Sequence, residues 1–172
     1  NDEEAVHFYG LAADLDFAPS ITRLGVMHEE GNFYEVNVQL ANEFYFRAHE
    51  LNDDEATYFL ALNMQFGAGI EQNIPRAISF YEEAVRRGNE SAVIDLGYLY
   101  VNGEFITPDY EKGFNLFKTL DNEGVPDALH NLALMYANGY YVNVSIDTAF
   151  DYYERAHLKG WAPSTYEIGN LY

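Results

Sequence analysis

The stretch LGYLYVNG, residues 96–103, holds two glycines six residues apart in an otherwise apolar segment. The same spacing occurs in LGVMHEEG at residues 24–31, LALNMQFG at residues 60–67 and LALMYANG at residues 132–139, and the final IGNLY begins another copy. The period is 36 residues, without insertion. It places one small residue in each copy, at Gly25, Ala61, Gly97, Ala133 and Gly169. A fixed period of this length predicts a repeat architecture rather than a single globular core.

Each copy predicts a pair of helices. The small residue falls inside the first helix, where we expect a second helix to approach closely. The glycine six residues later ends that helix, because a positive φ terminates helices and glycine adopts it without steric cost. The second helix carries a small residue and an aromatic pair, for example Ala77 with Phe80 and Tyr81. Spacings of three and four residues place these side chains on one stripe, which packs against the first helices.

These patterns predict an all-α fold, an α-solenoid of antiparallel helix pairs with a 36-residue repeat. We expect a single array over residues 1–172. Its predicted parts are half repeat 1–17, repeats 18–53, 54–89, 90–125 and 126–161, and half repeat 162–172. Because neither end carries the polar cap that usually closes an array, we expect the chain to be a segment of a longer array or a trimmed form.

The pattern A-x-x-x-L-G-x-x-Y-x-x-G, followed by A-x-x-F/Y-Y-x-x-A, resembles the Sel-one-like repeat (SLR), a relative of the tetratricopeptide repeat. The best copies lie at residues 92–124 and 128–160, and the resemblance covers essentially the whole chain. It implies an adaptor that assembles protein complexes, and some bacterial relatives are immunity proteins that neutralise secreted toxins. The branch of this family in which a disulfide crosslinks each repeat is excluded, because the chain has no cysteine.

Composition limits the partners. The 172 residues are 48% hydrophobic, which indicates a folded chain, and their formal net charge is −19. Such a charge argues against nucleic acid and anionic membrane surfaces, while it allows a protein or peptide partner with basic segments. Residues 1–60 hold 13 Asp and Glu against only Arg23 and Arg47. This acidic surface favours solubility or, alternatively, electrostatic docking.

The sequence offers little for catalysis, so we predict that the chain is not an enzyme and takes no cofactor or metal. The five histidines include no HExxH motif and no pair at four-residue spacing. His49 and His157 share one repeat position and are interpreted as structural surface residues, whereas His28 is interpreted as a substituted core residue. The acidic run at residues 53–55 opens a helix, where capping is the simpler explanation.

The sequence is compatible with several cellular compartments. No apolar run is long enough to span a membrane, and the acidic start NDEE lacks the basic region of a signal peptide. The absence of cysteine is compatible with cytoplasm, bacterial periplasm or a secretory lumen. Two Asn-x-Ser sequons, at Asn89 and Asn143, could be glycosylated in such a lumen, but these triplets are common by chance.

The resemblance implies a partner-binding surface on the first helices, which line the concave face in related repeats. The predicted exposed positions are mainly apolar in the middle repeats and acidic in the first, and they also include Thr22 and Gln65. The candidate binding residues are Tyr58, Leu62, Phe66, Ile94, Tyr98, Val101, His130, Leu134, Glu29 and Glu30. Apolar residues on an inner face bind peptides or helices, and acidic ones steer a basic segment. Alternatively, tight curvature buries the apolar row against itself.

The leading functional hypothesis is a non-enzymatic scaffold or adaptor that binds a protein or peptide. One alternative is a bacterial immunity protein with one tight toxin or effector partner. Another is an architectural spacer, whose inner face would bind nothing.

Overall fold

The computed structural model describes residues 2–172, with side chains from residue 4 onward, and it is all-helical over that range. The all-α prediction is therefore confirmed, while Asn1 of the first predicted half repeat lies outside the described residues. The helices are α1 (Asp2–Asp14), α2 (Ala18–Glu30), α3 (Val38–Glu50), α4 (Asp54–Phe66), α5 (Ile74–Arg87), α6 (Glu90–Asn102), α7 (Tyr110–Thr119), α8 (Pro126–Asn138), α9 (Ile146–Leu158) and α10 (Ala162–Asn170).

Side-chain caps begin several of these helices. Asp53 accepts a hydrogen bond from the amide of Ala56 at 2.8 Å, so the capping role predicted for the acidic run is confirmed. Asn37, Asn73 and Asp109 begin the second helices α3, α5 and α7 in the same way. Such a cap satisfies one of the amide groups that the first helical turn leaves unpaired.

The recurring glycines end the first helices as predicted. Gly31 follows α2 with φ of 76°, and Gly67 follows α4 with φ of 75°. Both are in the left-handed region, which a residue with a Cβ reaches only at a steric cost. The polar loop after each of these glycines then returns the chain to the second helix.

The small residues inside the first helices allow close helix packing. A Cβ on Gly25 would lie 2.5 Å from Cε1 of Tyr45, and one on Gly97 would lie 2.7 Å from Cε1 of Phe117. Tyr45 and Phe117 belong to the second helices α3 and α7, and both are fully buried. The second helix thus places an aromatic ring directly on the backbone of the first.

The chain forms two compact units, one up to Ala92 and one from Val93 to Tyr172. In the first unit, α1 packs on α2, α2 on α3, α3 on α4 and α4 on α5. In the second, α7 packs on α8, α8 on α9, and α9 on α10. The core of the first unit contains Ile21, Tyr45 and Leu60, all completely buried.

A buried amide chain joins two repeats inside the first unit. Asn63 Nδ2 donates to Asn42 Oδ1 at 2.9 Å, and Asn42 Nδ2 donates to the carbonyl of Ala68 at 2.9 Å. Because both side chains are buried, each hydrogen bond removes an otherwise costly unpaired polar group.

Among residues 2–172, no helix combines the length and the hydrophobicity that crossing a bilayer requires.

Candidate partner-binding surface

Three candidate residues in the first unit follow one another along α4. Tyr58 and Leu62 are half-buried, and the ring of Tyr58 lies 5.5 Å from Phe59 and 6.2 Å from Tyr81, centroid to centroid. Phe66, at the end of the helix, is 59% exposed. The row therefore changes from packed aromatic rings at its start to a solvent-facing ring at its end.

The position four residues after each small residue faces the second helix. The hydroxyl of Tyr45 donates to Glu29 Oε2 at 2.6 Å, and that of Tyr81 donates to Gln65 Oε1 at 2.8 Å. Gln65 is buried, so its predicted exposure is wrong. Four residues advance a helix by about 40° beyond a full turn, which keeps this position near the small residue and its aromatic neighbour. Burial and the Glu29 contact raise the pKa of Tyr45.

Two further predicted positions on α2 differ from each other. Glu30 is exposed, and its Oε2 accepts a hydrogen bond from Asn32 Nδ2 at 2.5 Å. Thr22 is buried and donates to Asp53 Oδ1 at 2.9 Å, so its predicted exposure is wrong. This hydrogen bond links α2 to Asp53, the residue that caps α4. Glu30 is left as the solvent-facing carboxylate of the predicted acidic pair.

In the second unit, α6 supplies three candidates. Tyr98 is 54% exposed, whereas Ile94 and Val101 are half-buried. Val101 lies against the backbone of Gly113 in α7, since its Cγ2 occupies the space that a Cβ on Gly113 would need. Tyr98 is thus the solvent-facing member of this trio.

The other two candidates of the second unit, His130 and Leu134, lie on α8 and are both half-buried. His130 Nδ1 is 2.9 Å from Ser164 Oγ, and its ring centroid is 5.5 Å from that of Tyr153. Burial lowers the pKa of His130, although Glu167 and Asp127 oppose this effect. The residue is therefore neutral near pH 7 and is held by α9 and α10.

Two adjoining clefts in the first unit were not identified from the sequence. They measure about 310 and 470 Å³ and share Tyr9, Arg23 and Val26. Burial and the neighbouring Asp53 raise the pKa of Glu55 at one cleft, while the charge of Arg23 opposes that shift. The sequence feature that points to these clefts is Arg23, which is one of only two Lys or Arg residues in residues 1–60.

The histidines outside this surface make structural contacts. His49 Nδ1 lies 2.9 Å from Thr57 Oγ1, and His157 Nδ1 lies 2.7 Å from Thr165 Oγ1, which is the same contact in two repeats. His28 is half-buried and stacks on Tyr34, with ring centroids 4.1 Å apart. Within the part of the chain that the structure describes, no three His, Asp or Glu side chains group as metal ligands.

A family model of the Sel1 repeat matches residues 1–17, 18–53, 54–89, 91–119 and 126–160. The chain belongs to the Sel1 repeat family. The SLR resemblance is therefore confirmed. Sel1 repeat proteins generally bind other proteins, and they are generally non-enzymatic scaffolds.

Solved structures confirm the predicted α-solenoid fold class. A Sel1 repeat protein from Oxalobacter formigenes is 25% identical, with a TM-score of 0.85 over 100% of this chain and 75% of that one. The protective antigen c5321 of uropathogenic Escherichia coli, which displays an SLR fold, is 24% identical, with a TM-score of 0.87 over 98% of this chain and 36% of that one. This chain therefore spans only about a third of the antigen's length.

A more distant structure is the immunity protein Pa5087 of Pseudomonas aeruginosa. It is 20% identical, with a TM-score of 0.62 over 92% of this chain and 59% of that one, a likeness that concerns the fold alone. Among curated proteins, none matches this Sel1 repeat chain in sequence.

Proposed function

We propose that this chain is a non-enzymatic scaffold that binds a protein or peptide through the first helices of its repeats. The observation that carries the proposal is the exposure of two aromatic side chains at candidate positions, Phe66 in the first unit and Tyr98 in the second. Aromatic residues supply much of the binding energy of protein interfaces. Half-buried Leu62 and Ile94, one on each of the same helices, add apolar surface near them.

The charge supports a partner with basic segments. The formal net charge is −19, and exposed Glu30 and Glu35 add carboxylates around the end of α2. The negative electrostatic field attracts basic segments and mainly raises the rate of association. Because added salt screens this attraction, the effect weakens as the salt concentration rises. The apolar residues then provide the part of the affinity that salt does not remove.

Site-specific photo-crosslinking tests this surface. The photoreactive amino acid p-benzoyl-phenylalanine replaces Phe66 or Tyr98 in turn, and the chain is irradiated in an extract of its native source. We expect both positions to crosslink the same protein. The matched control places the probe at Leu158, a 76% exposed position at the end of the second helix α9. Equal crosslinking from Leu158, or none from Phe66 and Tyr98, would place the binding surface elsewhere.

Neutralisation of a toxin or secreted effector is the second candidate function. Pa5087 is an immunity protein with this fold, but its 20% identity extends the likeness no further than the fold. The same crosslinking separates the two roles, because an immunity protein yields one stoichiometric partner that survives high salt. A general adaptor yields several partners.

An architectural spacer is the remaining alternative. It predicts that probes at Phe66 and Tyr98 capture no protein at any salt concentration.

A further inference from the structure

The loop between α8 and α9, residues 139–145, presents an aromatic residue in a strained backbone conformation. Tyr141 has a φ of 66°, in the left-handed region, and its side chain is 52% exposed. Gly69 holds the same position of an earlier repeat with a φ of 63°, and glycine adopts this conformation without steric cost. Such strain persists only where surrounding contacts hold it in place, and it is common at binding sites.

The side chain of Tyr141 is held by the second helix of the preceding repeat, α7. Its hydroxyl donates to Glu111 Oε1 at 3.2 Å, and its ring centroid lies 5.5 Å from that of Phe114. The adjacent Tyr140 stacks on Tyr110, with centroids 4.7 Å apart and planes 5° apart. Glu111 is exposed. We refer to these five residues, four rings around one carboxylate, as the loop patch.

The carboxylate of the loop patch has no cation beside it. Among residues 4–172, whose side chains the structure describes, Glu111 forms no ion pair. The neighbouring Lys112 instead lies 3.7 Å from Asp109, and its Nζ lies 4.9 Å from the ring centre of Tyr100. An exposed aromatic ring and a carboxylate both attract a positive charge. The loop patch is therefore a surface that favours a cationic side chain.

A second pair of a tyrosine and a carboxylate, in the same unit, shows which side chains such a pair holds. The hydroxyl of Tyr152 donates to Asp121 Oδ2 at 3.0 Å. The guanidinium carbon of Arg155 lies 5.2 Å from the ring centre of Tyr152, and its Nη2 lies 2.7 Å from Asp121 Oδ1. Lys118 contacts the same ring and the same carboxylate. The loop patch has the tyrosine and the carboxylate of this arrangement without its cations.

The exposure of the loop patch does not depend on where the chain begins or ends. Neither α1 nor α10 contributes a residue to it. Phe33 holds the repeat position of Tyr141 and has a φ of 72°. It is 55% exposed although a complete repeat, α4 and α5, follows it. A complete repeat after α9 would therefore leave Tyr141 exposed as well.

We propose that the loop patch binds an arginine side chain of a partner protein. The guanidinium stacks on the exposed ring of Tyr141 and donates to the carboxylate of Glu111. Arg155 makes both kinds of contact within this chain. Arginine fits better than lysine, because its planar guanidinium stacks on a ring and donates two parallel hydrogen bonds to a carboxylate. The formal net charge of −19 attracts the basic segment that carries this arginine.

This inference rests on the proposed function, because the partner is a protein with a basic segment. It places that segment on the loop patch, whereas the first helices provide the apolar part of the interface.

Nuclear magnetic resonance of the isotope-labelled chain tests the proposal, with the capped tripeptide acetyl-Gly-Arg-Gly-amide as the probe. We expect the changes in amide chemical shift to concentrate at residues 110–114 and 139–142. Two matched peptides replace the arginine, one with lysine and one with citrulline, which has nearly the shape of arginine without its charge. Each should bind roughly threefold more weakly or less tightly still.

Two variants test the contacts themselves. Tyr141→Gly removes the ring and keeps a residue that tolerates the backbone conformation, and Glu111→Gln keeps an acceptor for the Tyr141 hydroxyl but removes the charge. Each should weaken binding of the arginine peptide roughly threefold or more. Both residues are exposed, so circular dichroism should show unchanged helix content. Glu43→Gln, at an exposed residue of α3, makes the same charge change and should bind as wild type does.

Shift changes spread evenly over the acidic surface would overturn the proposal. So would binding that both variants leave unchanged, or equal binding of the lysine or the citrulline peptide. The first-helix surface is tested separately, by crosslinking from Phe66 and Tyr98. Loss of that crosslinking while the peptide still binds the loop patch would contradict the first-helix surface alone, and the reverse result would contradict the loop patch alone.

Discussion

The ring of Tyr45 lies on the backbone of Gly25 so closely that a Cβ at residue 25 would stand 2.5 Å from Cε1. One glycine in a helix interior costs up to about 1 kcal/mol relative to alanine. The close approach of α3 to α2 compensates for this cost by burying the ring completely. The same relation holds for Phe117 and Gly97 in the second unit.

Gly97→Leu should lower the free energy of unfolding by roughly 1–3 kcal/mol or more, because the added side chain collides with the ring of Phe117, which is fully buried. Urea denaturation followed by circular dichroism measures the change. Gly10→Leu is the matched control, since Gly10 also lies in a helix but a Cβ there meets nothing within 4 Å. A midpoint for Gly97→Leu within error of wild type would contradict the packing argument.

The side chains of Tyr81 and Gln65, which form a hydrogen bond, should be energetically coupled. Tyr81→Phe leaves the buried Gln65 oxygen without its hydroxyl donor, and we expect a cost of about 1–3 kcal/mol. The double variant Tyr81→Phe/Gln65→Val reproduces the apolar pair Phe117 and Val101 of the next repeat and should cost less than the two single changes together. Additive free energies in this double-mutant cycle would show that the bond has no energetic coupling.

Stability should fall as the pH drops below about 6.5, the ordinary pKa of histidine. Burial lowers the pKa of His28, His49 and His130, so the unfolded chain binds protons that the folded chain does not. This loss begins near the unfolded pKa and continues down to the folded pKa values. Thermal denaturation between pH 8 and pH 5 measures the slope.

His28→Tyr is the matched variant for this pH dependence. Tyr100, Tyr136 and Tyr172 occupy the same repeat position, and Tyr136 stacks on Tyr152 as His28 stacks on Phe44. The variant should fold and show a shallower loss of stability below pH 6.5. An unchanged slope would mean that His28 does not contribute to it.

The periodic sequence allowed the helix pairs and their ends to be predicted, because each depends on local chemistry. Gly25 marks a close approach and Gly31 a left-handed stop, and both signals repeat along the chain, whereas Asp53 is a local cap of α4. Agreement among copies made these predictions strong. The family resemblance followed from the same residues.

The candidate surface was harder to predict, because exposure depends on contacts between repeats. Thr22 is buried and donates a hydrogen bond to Asp53, 31 residues later in the chain. Arg87 donates to the carbonyl of Asp53, 34 residues earlier, which no local pattern indicates. The smaller cleft beside Arg23 likewise combines side chains of three helices, α1, α2 and α4.

The most direct test of the scaffold hypothesis is quantitative capture of partners from the native source, at low and at high salt, with wild type and with Phe66→Ala/Tyr98→Ala. We predict that wild type captures at least one protein, that salt weakens the capture, and that the double variant loses it while its helix content is unchanged. Leu158→Ala should capture as wild type does. Equal capture by wild type and the double variant, or none by either, would contradict the account.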